Sequence, residues 1–276
     1  MNYRHVFHAG NFADLIKHAV LTHLLDALTA ELGALTVIDT HAGAGIYDLA
    51  GEEARRTGEG AAGIGRLMAD DAAPAAFAGL RAAVAAVNGG GGLRRYPGSP
   101  LIIAGALRPG DRLIACELRA DDHAALARAL ARRAGIEALN ADGWQTAPAR
   151  APAAAMRLLV LIDPPYEKRD DGARAPALCA DLLGRNRGAV IAIWAPIKDL
   201  ASFDALLVRL RDAAGAAPIL LTEVRLRPLD DPTALNGCAL MVINPPERIE
   251  APAAEAAAWV ARALGEAGAT GRTSRL

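Results

Sequence analysis

With 276 residues and 53% hydrophobic residues, the chain is long and apolar enough for one large α/β domain, and its composition excludes a disordered protein. No apolar run approaches the roughly 18 residues that cross a bilayer, and the start of the chain, with Arg4, His5 and His8, lacks a signal-peptide pattern, so a cytoplasmic protein with no membrane contact is expected. A formal net charge of −1 does not announce a polyanion partner, although a local basic face would serve for one.

In chain order, residues 11–30 read as an amphipathic helix. Asn11 is its N-cap, Asp14 suits its first turn, and Ile16, Val20, Leu24 and Leu28 recur at helical spacing before Gly33. A strand at 34–39 runs into Thr40-His-Ala-Gly-Ala-Gly45. Residues 46–95 change character: short helices, alanine-rich stretches and a loop of four glycines after Asn88 mark an inserted helical subdomain. Tyr96-Pro-Gly-Ser-Pro100 opens a helix at 101–107, with Ser99 as cap and Pro100 in the first helical position. Strands then follow at 112–116, 137–140, 157–162, 189–194, 219–226 and 239–244. Helices are expected at 121–134, 174–184, 201–214 and 252–265, and a loose tail at 266–276. Apolar strands separated by helices give an α/β fold with a mostly parallel sheet covered on both faces.

Successive strand ends carry Asp39 with His41, then Glu117, Asp142 and Asp163. Ligands of open α/β sheets bind beyond the carboxyl ends of the strands, so these side chains should meet in one crevice. The turn His41-Ala-Gly43-Ala-Gly45 lets a ligand approach the backbone, although a plain tight turn looks the same. It lacks the full G-x-G-x-x-G spacing, which counts against a nicotinamide oxidoreductase. Glu117 suits the two hydroxyls of a ribose, or is an exposed charge at a strand end. It stands 72 residues after Gly45, and leaving out 46–95 reduces this to 22, near the usual separation of about 20. Asp142-Gly143 suits an adenine amine, or is an ordinary turn.

Asp163-Pro164-Pro165-Tyr166 after an apolar strand is the sharpest signal. An exocyclic base amine is a poor nucleophile because its lone pair is delocalised into the ring. The Asp163 carboxylate and the Pro164 carbonyl would accept both amine hydrogens and leave the lone pair aimed at a methyl carbon. Proline donates nothing, so the turn offers acceptors only. Tyr166 would stack on a base taken out of its helix. Asn244-Pro245-Pro246-Glu247 looks similar but lacks the ring, and reads as a strand-end turn. Trp194-Ala-Pro-Ile-Lys198 lines the target pocket or finishes the core; both readings stay open.

Three scattered cysteines, Cys116, Cys179 and Cys238, suit buried core positions rather than disulfides or zinc. Five of the six histidines lie in the first 41 residues, with no cysteine or carboxylate at ligand spacing. Packing and capping roles are expected, for His23 above all, and no metal. Arg55, Arg56, Arg94 and Arg95 are candidates for phosphate contacts, or are solvated surface charges.

Asp-Pro-Pro-Tyr after a buried strand resembles the amino-methyltransferases that use S-adenosylmethionine. The run from Tyr3-Arg4-His5 to Asp14-Leu-Ile-Lys17-His18 is more specific. So are Asp39-Thr-His41-Ala-Gly-Ala-Gly45, Arg56-Thr57-Gly58-Glu59, Tyr96-Pro-Gly-Ser99-Pro100 and Ile243-Asn244-Pro-Pro. Together they resemble the RlmJ family, bacterial enzymes that methylate adenine N6 in 23S ribosomal RNA, over residues 3–246. The resemblance implies a Rossmann-like class I S-adenosylmethionine-dependent methyltransferase fold. It implies a cofactor site of Lys17, His18, His41, Ser99, Glu117, Asp142, Gly143 and Asp163, with Asp163 and Pro164 catalytic and Tyr166 as stacking partner. It implies a mobile tail, residues 1–10, whose Tyr3 and His5 touch the RNA. A monomer is expected. Glu247 departs from the family, whose members carry an aromatic residue there. A DNA adenine-N6 methyltransferase is the alternative nearest in chemistry, disfavoured by the lack of a separate target-recognition domain. A catalytically silent nucleic-acid-binding module on the same fold is the alternative from another class.

Overall fold

The computed structural model describes residues 4–131, 133–153, 156–167, 171–231 and 234–276. Helix α1 (Phe12–Ala30) starts on Asn11, whose side-chain oxygen accepts from the amides of Ala13 and Asp14. This satisfies two donors that the first helical turn leaves free. Leu15, Ile16, Leu21, Leu24 and Leu25 are all buried, so α1 is packed nearly all round. Strand β1 (Leu35–Asp39) follows, buried at every position.

The next segment leaves the sheet and returns. Strands β2 (Ile46–Asp48) and β3 (Arg95–Pro97) pair antiparallel at its base. Between them run α2 (Glu52–Thr57), a π-helical turn, α3 (Arg66–Ala69), a 3-10 turn and α4 (Ala78–Asn88). Ile64, Leu67, Phe77, Leu80 and Val84 from this segment join the same apolar cluster as α1. The remaining elements are α5 (Ser99–Ala106), β4 (Arg112–Cys116), α6 (Ala120–Ala129), β5 (Ile136–Leu139), α7 (Gly143–Arg150) and β6 (Arg157–Ile162). They continue with α8 (Asp171–Arg185), β7 (Val190–Ile197), α9 (Leu200–Ala214), β8 (Ile219–Arg225), β9 (Gly237–Ile243), α10 (Glu250–Leu264) and β10 (Thr270–Arg275).

The sheet order is β5-β4-β1-β6-β7-β9-β8-β10. The first five strands are mutually parallel, and β9, β8 and β10 are each antiparallel to the strand before them. The chain walks outward from β1 to β5 and then returns to β6 on the other flank of β1. The crevice of such a sheet opens at this reversal, beyond the carboxyl ends of β1 and β6. Strand alternation feeds two cores: Val37 and Leu159 face α1 and α10, while Ile38 and Val160 face α8 and α9. The three cysteines are free and buried, and burial pushes each thiol up to about 12. Among the described residues no helix is long and apolar enough to cross a membrane.

Two sequence expectations need correction. Residues 266–276 are not a loose tail, because β10 pairs along the whole of Thr270–Arg275 with β8. Backbone pairing and the contact of Arg272 with Glu223 hold it, so its polar sequence shows no strand pattern. Ser99 is not the cap of α5: Gly98 takes that position, and the Ser99 hydroxyl donates to Asp39 instead. The segment 143–150, which shows no clear periodicity and contains Pro148, is helix α7.

Candidate active site

A cavity of about 630 Å³ opens at the carboxyl ends of β1, β4, β6 and β7 and at the start of α1. It brings together the expected cofactor set, Lys17, His18, His41, Ser99, Glu117, Asp142, Gly143 and Asp163, with Pro164, Tyr166 and His5. Tyr3 lies outside the described residues. Trp194, Pro196 and Lys198 also line the cavity, while Ala195 and Ile197 of the same segment are buried in the core. Among the described residues no group of three or more His, Cys, Asp or Glu could hold a metal ion.

At one end, the first turns of α1 place Asp14, Lys17 and His18 on one face. The Lys17 ammonium donates to Asp14 at 2.8 Å and to Asp163 at 2.6 Å. Burial alone lowers its pKa, but the Asp14 and Asp163 carboxylates outweigh this and raise it well above the ordinary lysine value. Asp14 also accepts from the Gly10 amide and the His5 ring. Burial raises its pKa; the Lys17 and His5 charges prevail and hold it well below the usual carboxylate range. Burial, aided by the Lys17 charge, lowers His18 to about 3, so its imidazole is neutral.

At the centre, the glycine turn is left-handed at Gly43 (φ +62°) and Gly45 (φ +82°), a backbone that other residues rarely adopt. The Gly43 amide donates to Glu117 at 3.0 Å, and the Arg119 amide donates to the other oxygen of Glu117 at 2.7 Å. Burial raises the Glu117 pKa, and these amides oppose the shift. Burial also pushes Asp39 up to about 7 against the Ser99 hydroxyl, which bonds it at 2.7 Å. At the far end Asp142 caps α7 through the Trp144 amide, and Arg174 approaches it at 3.4 Å. Arg174 lies over the Trp144 indole, 4.8 Å from the ring centre, while His41 meets that ring edge-on. Burial lowers His41 to about 4.

The acceptor turn leaves β6 with Asp163 facing the cavity. Tyr166 has φ 51°, a left-handed conformation that is unusual for an aromatic residue. Its hydroxyl donates to the Trp194 carbonyl at 2.9 Å and its ring meets Trp194 edge-on. Asn244, also left-handed, donates to the carbonyls of Arg187 and Ala189 at the opposite end of the strands. This turn closes the start of β7 and has no place in the cavity. His23 bonds the Ala76 carbonyl, a packing role.

Arg56-Thr57-Gly58-Glu59 grips the described part of the N-terminal tail. Thr57 donates to the Phe7 carbonyl, and Glu59 accepts from Asn11 at 2.9 Å and pairs with His8 at 2.8 Å. Sequence reasoning missed Asp14, Trp144 and Arg174 as parts of the site. The spacing of Asp14, Lys17 and His18 at i, i+3 and i+4 was a usable signal; nothing in the sequence pointed to Arg174.

A sheet of this order, with its acidic strand ends gathered at the point of reversal, defines an S-adenosylmethionine-dependent methyltransferase of the Rossmann-like class I fold. The family model described as ribosomal RNA large subunit methyltransferase D, RlmJ, matches residues 33–275, and the chain belongs to this family. It is 35% identical to ribosomal RNA large subunit methyltransferase J of Escherichia coli, over 97% of this chain and 95% of that protein. It is 34% identical to the protein of the same name from Haemophilus influenzae, over 96% and 94% of the two chains. The crystal structure of protein LPL1258 from Legionella pneumophila superposes with a TM-score of 0.88 at 28% identity, covering 98% of each chain.

Proposed function

We propose that the chain, as a cytoplasmic monomer, transfers the methyl group of S-adenosylmethionine to the N6 amine of an adenine in 23S ribosomal RNA. The observation that carries this reading is the Asp163-Pro164 acceptor turn, open to the same cavity as Glu117 and Asp142. The residues present fit the methyl donor. Each Glu117 oxygen accepts one backbone amide and keeps a lone pair for a ribose hydroxyl, and Asp142 can accept from an adenine amine. The buried Nε2 of His18 has no hydrogen-bond partner among the described residues, so a polar ligand group would complete it.

Lys17 occupies Oδ2 of Asp163. Oδ1 and the Pro164 carbonyl are then the two acceptors for the amine hydrogens of the target adenine. Held there, the amine nitrogen turns its lone pair to the methyl carbon. S-adenosylmethionine bound by Glu117, Asp142 and His18 would supply the methyl, the N–CH3 bond forming as the S–CH3 bond breaks with S-adenosylhomocysteine as the leaving group. The proton then shed by nitrogen passes to Asp163, or through water to solvent. Fixed alignment and fixed acceptors provide the acceleration. Tyr166 stacks on the extruded base, and His5 and Tyr3 serve as contacts to the RNA. Arg55, Arg56, Arg94 and Arg95 lie on the inserted segment, with Arg94 loosely paired to Asp48 at 3.7 Å, and contact RNA phosphates.

The deciding experiment compares methyl incorporation into protein-free fragments of 23S ribosomal RNA and into duplex DNA, with the product base identified. N6-methyladenine in RNA, lost in Asp163→Ala while cofactor binding persists at least in part, is the expected result. Labelling of DNA in preference, or of another base, rules the proposal out. Charge reversal at Arg94 and Arg95 should weaken RNA binding and flatten its salt dependence; an unchanged affinity removes their role.

A further inference from the structure

Tyr96 is fully buried at the centre of β3, and the acceptor beside its hydroxyl among the described residues is His18 Nδ1, at 2.7 Å. The two rings stack with centroids 5.5 Å apart. Burial raises the phenol well above its ordinary pKa of 10, so the proton stays on oxygen. A buried hydroxyl donates to the acceptor it has. His18 Nδ1 is therefore the acceptor, and the neutral imidazole carries its single proton on Nε2.

That Nε2–H has no hydrogen-bond partner among the described residues. It is buried, and the Asp14 carboxylate, 4.0 Å away, is beyond hydrogen-bond reach. His18 lines the active-site cavity beside Lys17 and Asp163, at the end remote from Asp142. With the adenosine placed on Glu117 and Asp142, the amino-acid end of the methyl donor falls here. Its carboxylate is the anionic group of that molecule, and an N–H donor suits it.

We propose that Tyr96 is a positioning residue, whose hydroxyl fixes His18 as an Nε2–H donor to the carboxylate of the cofactor's methionine moiety. This rests on the reading of the crevice given under Proposed function. A tyrosine and histidine merely filling the core could share this tautomer but would not discriminate between ligands.

The test uses Tyr96→Phe, which removes one oxygen and keeps the ring. In the ligand-free wild-type protein, the nitrogen-15 spectrum should show His18 protonated on Nε2; in Tyr96→Phe the two tautomers should mix. S-adenosylhomocysteine should bind about tenfold more weakly to the variant, the loss expected for one charge-assisted hydrogen bond. 5′-Methylthioadenosine, which lacks the amino-acid moiety, should bind both proteins equally. Equal losses for the two ligands overturn the proposal, as does a wild-type spectrum with the proton on Nδ1; that spectrum decides even if the variant fails to fold. A wild-type chain that binds neither nucleoside overturns the reading of the crevice and this proposal with it. Tight wild-type binding of both with no preference for the carboxylate overturns this proposal alone.

Discussion

Lys17 and Asp163 are joined by a 2.6 Å ion pair that ties the second turn of the first helix to the end of the fourth parallel strand, 146 residues away. Lys17 is also bonded to Asp14, so one buried ammonium answers two carboxylates. Removing it takes the counter-charge from Asp163 and leaves Asp14 with His5 alone, and leaving a buried charge unpaired costs about 3–5 kcal/mol. Lys17→Met should lose stability on this order in urea unfolding. Adding Asp14→Asn should restore part of the loss, since it removes one of the two carboxylates. Additive losses in the double variant would show that the three groups do not act as a unit.

Asp39 gives a stability signature in pH. Burial raises its folded pKa to about 7, from 3.8 in the unfolded chain. Between these values the native state holds a proton that the unfolded state has released. The stabilisation is therefore complete below about pH 4 and is lost as pH rises through about 7. At about 1.4 kcal/mol per pKa unit the difference amounts to a few kcal/mol. Asp39→Asn keeps an acceptor for Ser99 and cannot titrate. Unfolding free energies measured from pH 4 to 8 should converge or cross with those of the wild type across this window. Parallel profiles would contradict a raised Asp39.

Gly143 shows how a residue expected to touch cofactor also has a packing reason to be glycine. A Cβ there would stand 2.0 Å from the Thr40 carbonyl oxygen, a backbone atom of the neighbouring turn. Gly143→Ala must push α7 away from the end of β1, and Asp142, the cap of that helix, moves with it. A loss of about 1–3 kcal/mol in stability is expected from the overpacking. Calorimetric titration with S-adenosylhomocysteine should show weakened binding in the folded variant. Unchanged affinity would detach Asp142 from the cofactor.

The parts of this molecule that were legible in the sequence are those where local chemistry and tertiary position agree. The strand Arg157–Ile162 is apolar after its first residue because it lies inside the sheet, and Asp163 follows where the sheet ends. Asn11 is a cap both by residue type and in the structure. Illegible parts depend on contacts distant in sequence. Ser99 has the residue type of a cap, yet its hydroxyl is drawn to Asp39, 60 residues earlier. Arg174 gains its place only because α8 crosses near α7. Asn244-Pro245-Pro246 carries much of the sequence pattern of the acceptor turn, but β9 runs antiparallel to β7 and delivers it to the wrong end of the strands.

The terminal strand β10 is the plainest case of such a hidden element, and it can be tested directly. It covers β8, whose Leu220, Leu221, Thr222 and Glu223 are buried. Glu223 is only 3% exposed and is bonded by Arg225 and by Arg272 of β10. Ending the chain at Ala267 would turn β8 into a bare edge and take one of the two arginines from Glu223. Open edges recruit other strands, so the truncated protein should melt at lower temperature and associate with rising concentration. Gly271→Ala probes the same strand with a milder change: its Cβ would stand 2.0 Å from the Ala257 carbonyl oxygen of α10, so strand and helix must part. It should lower the melting temperature in the same direction and speed amide exchange along β8. If both proteins keep the wild-type melting temperature and stay monodisperse, β10 adds nothing to the fold and the sheet ends at β8.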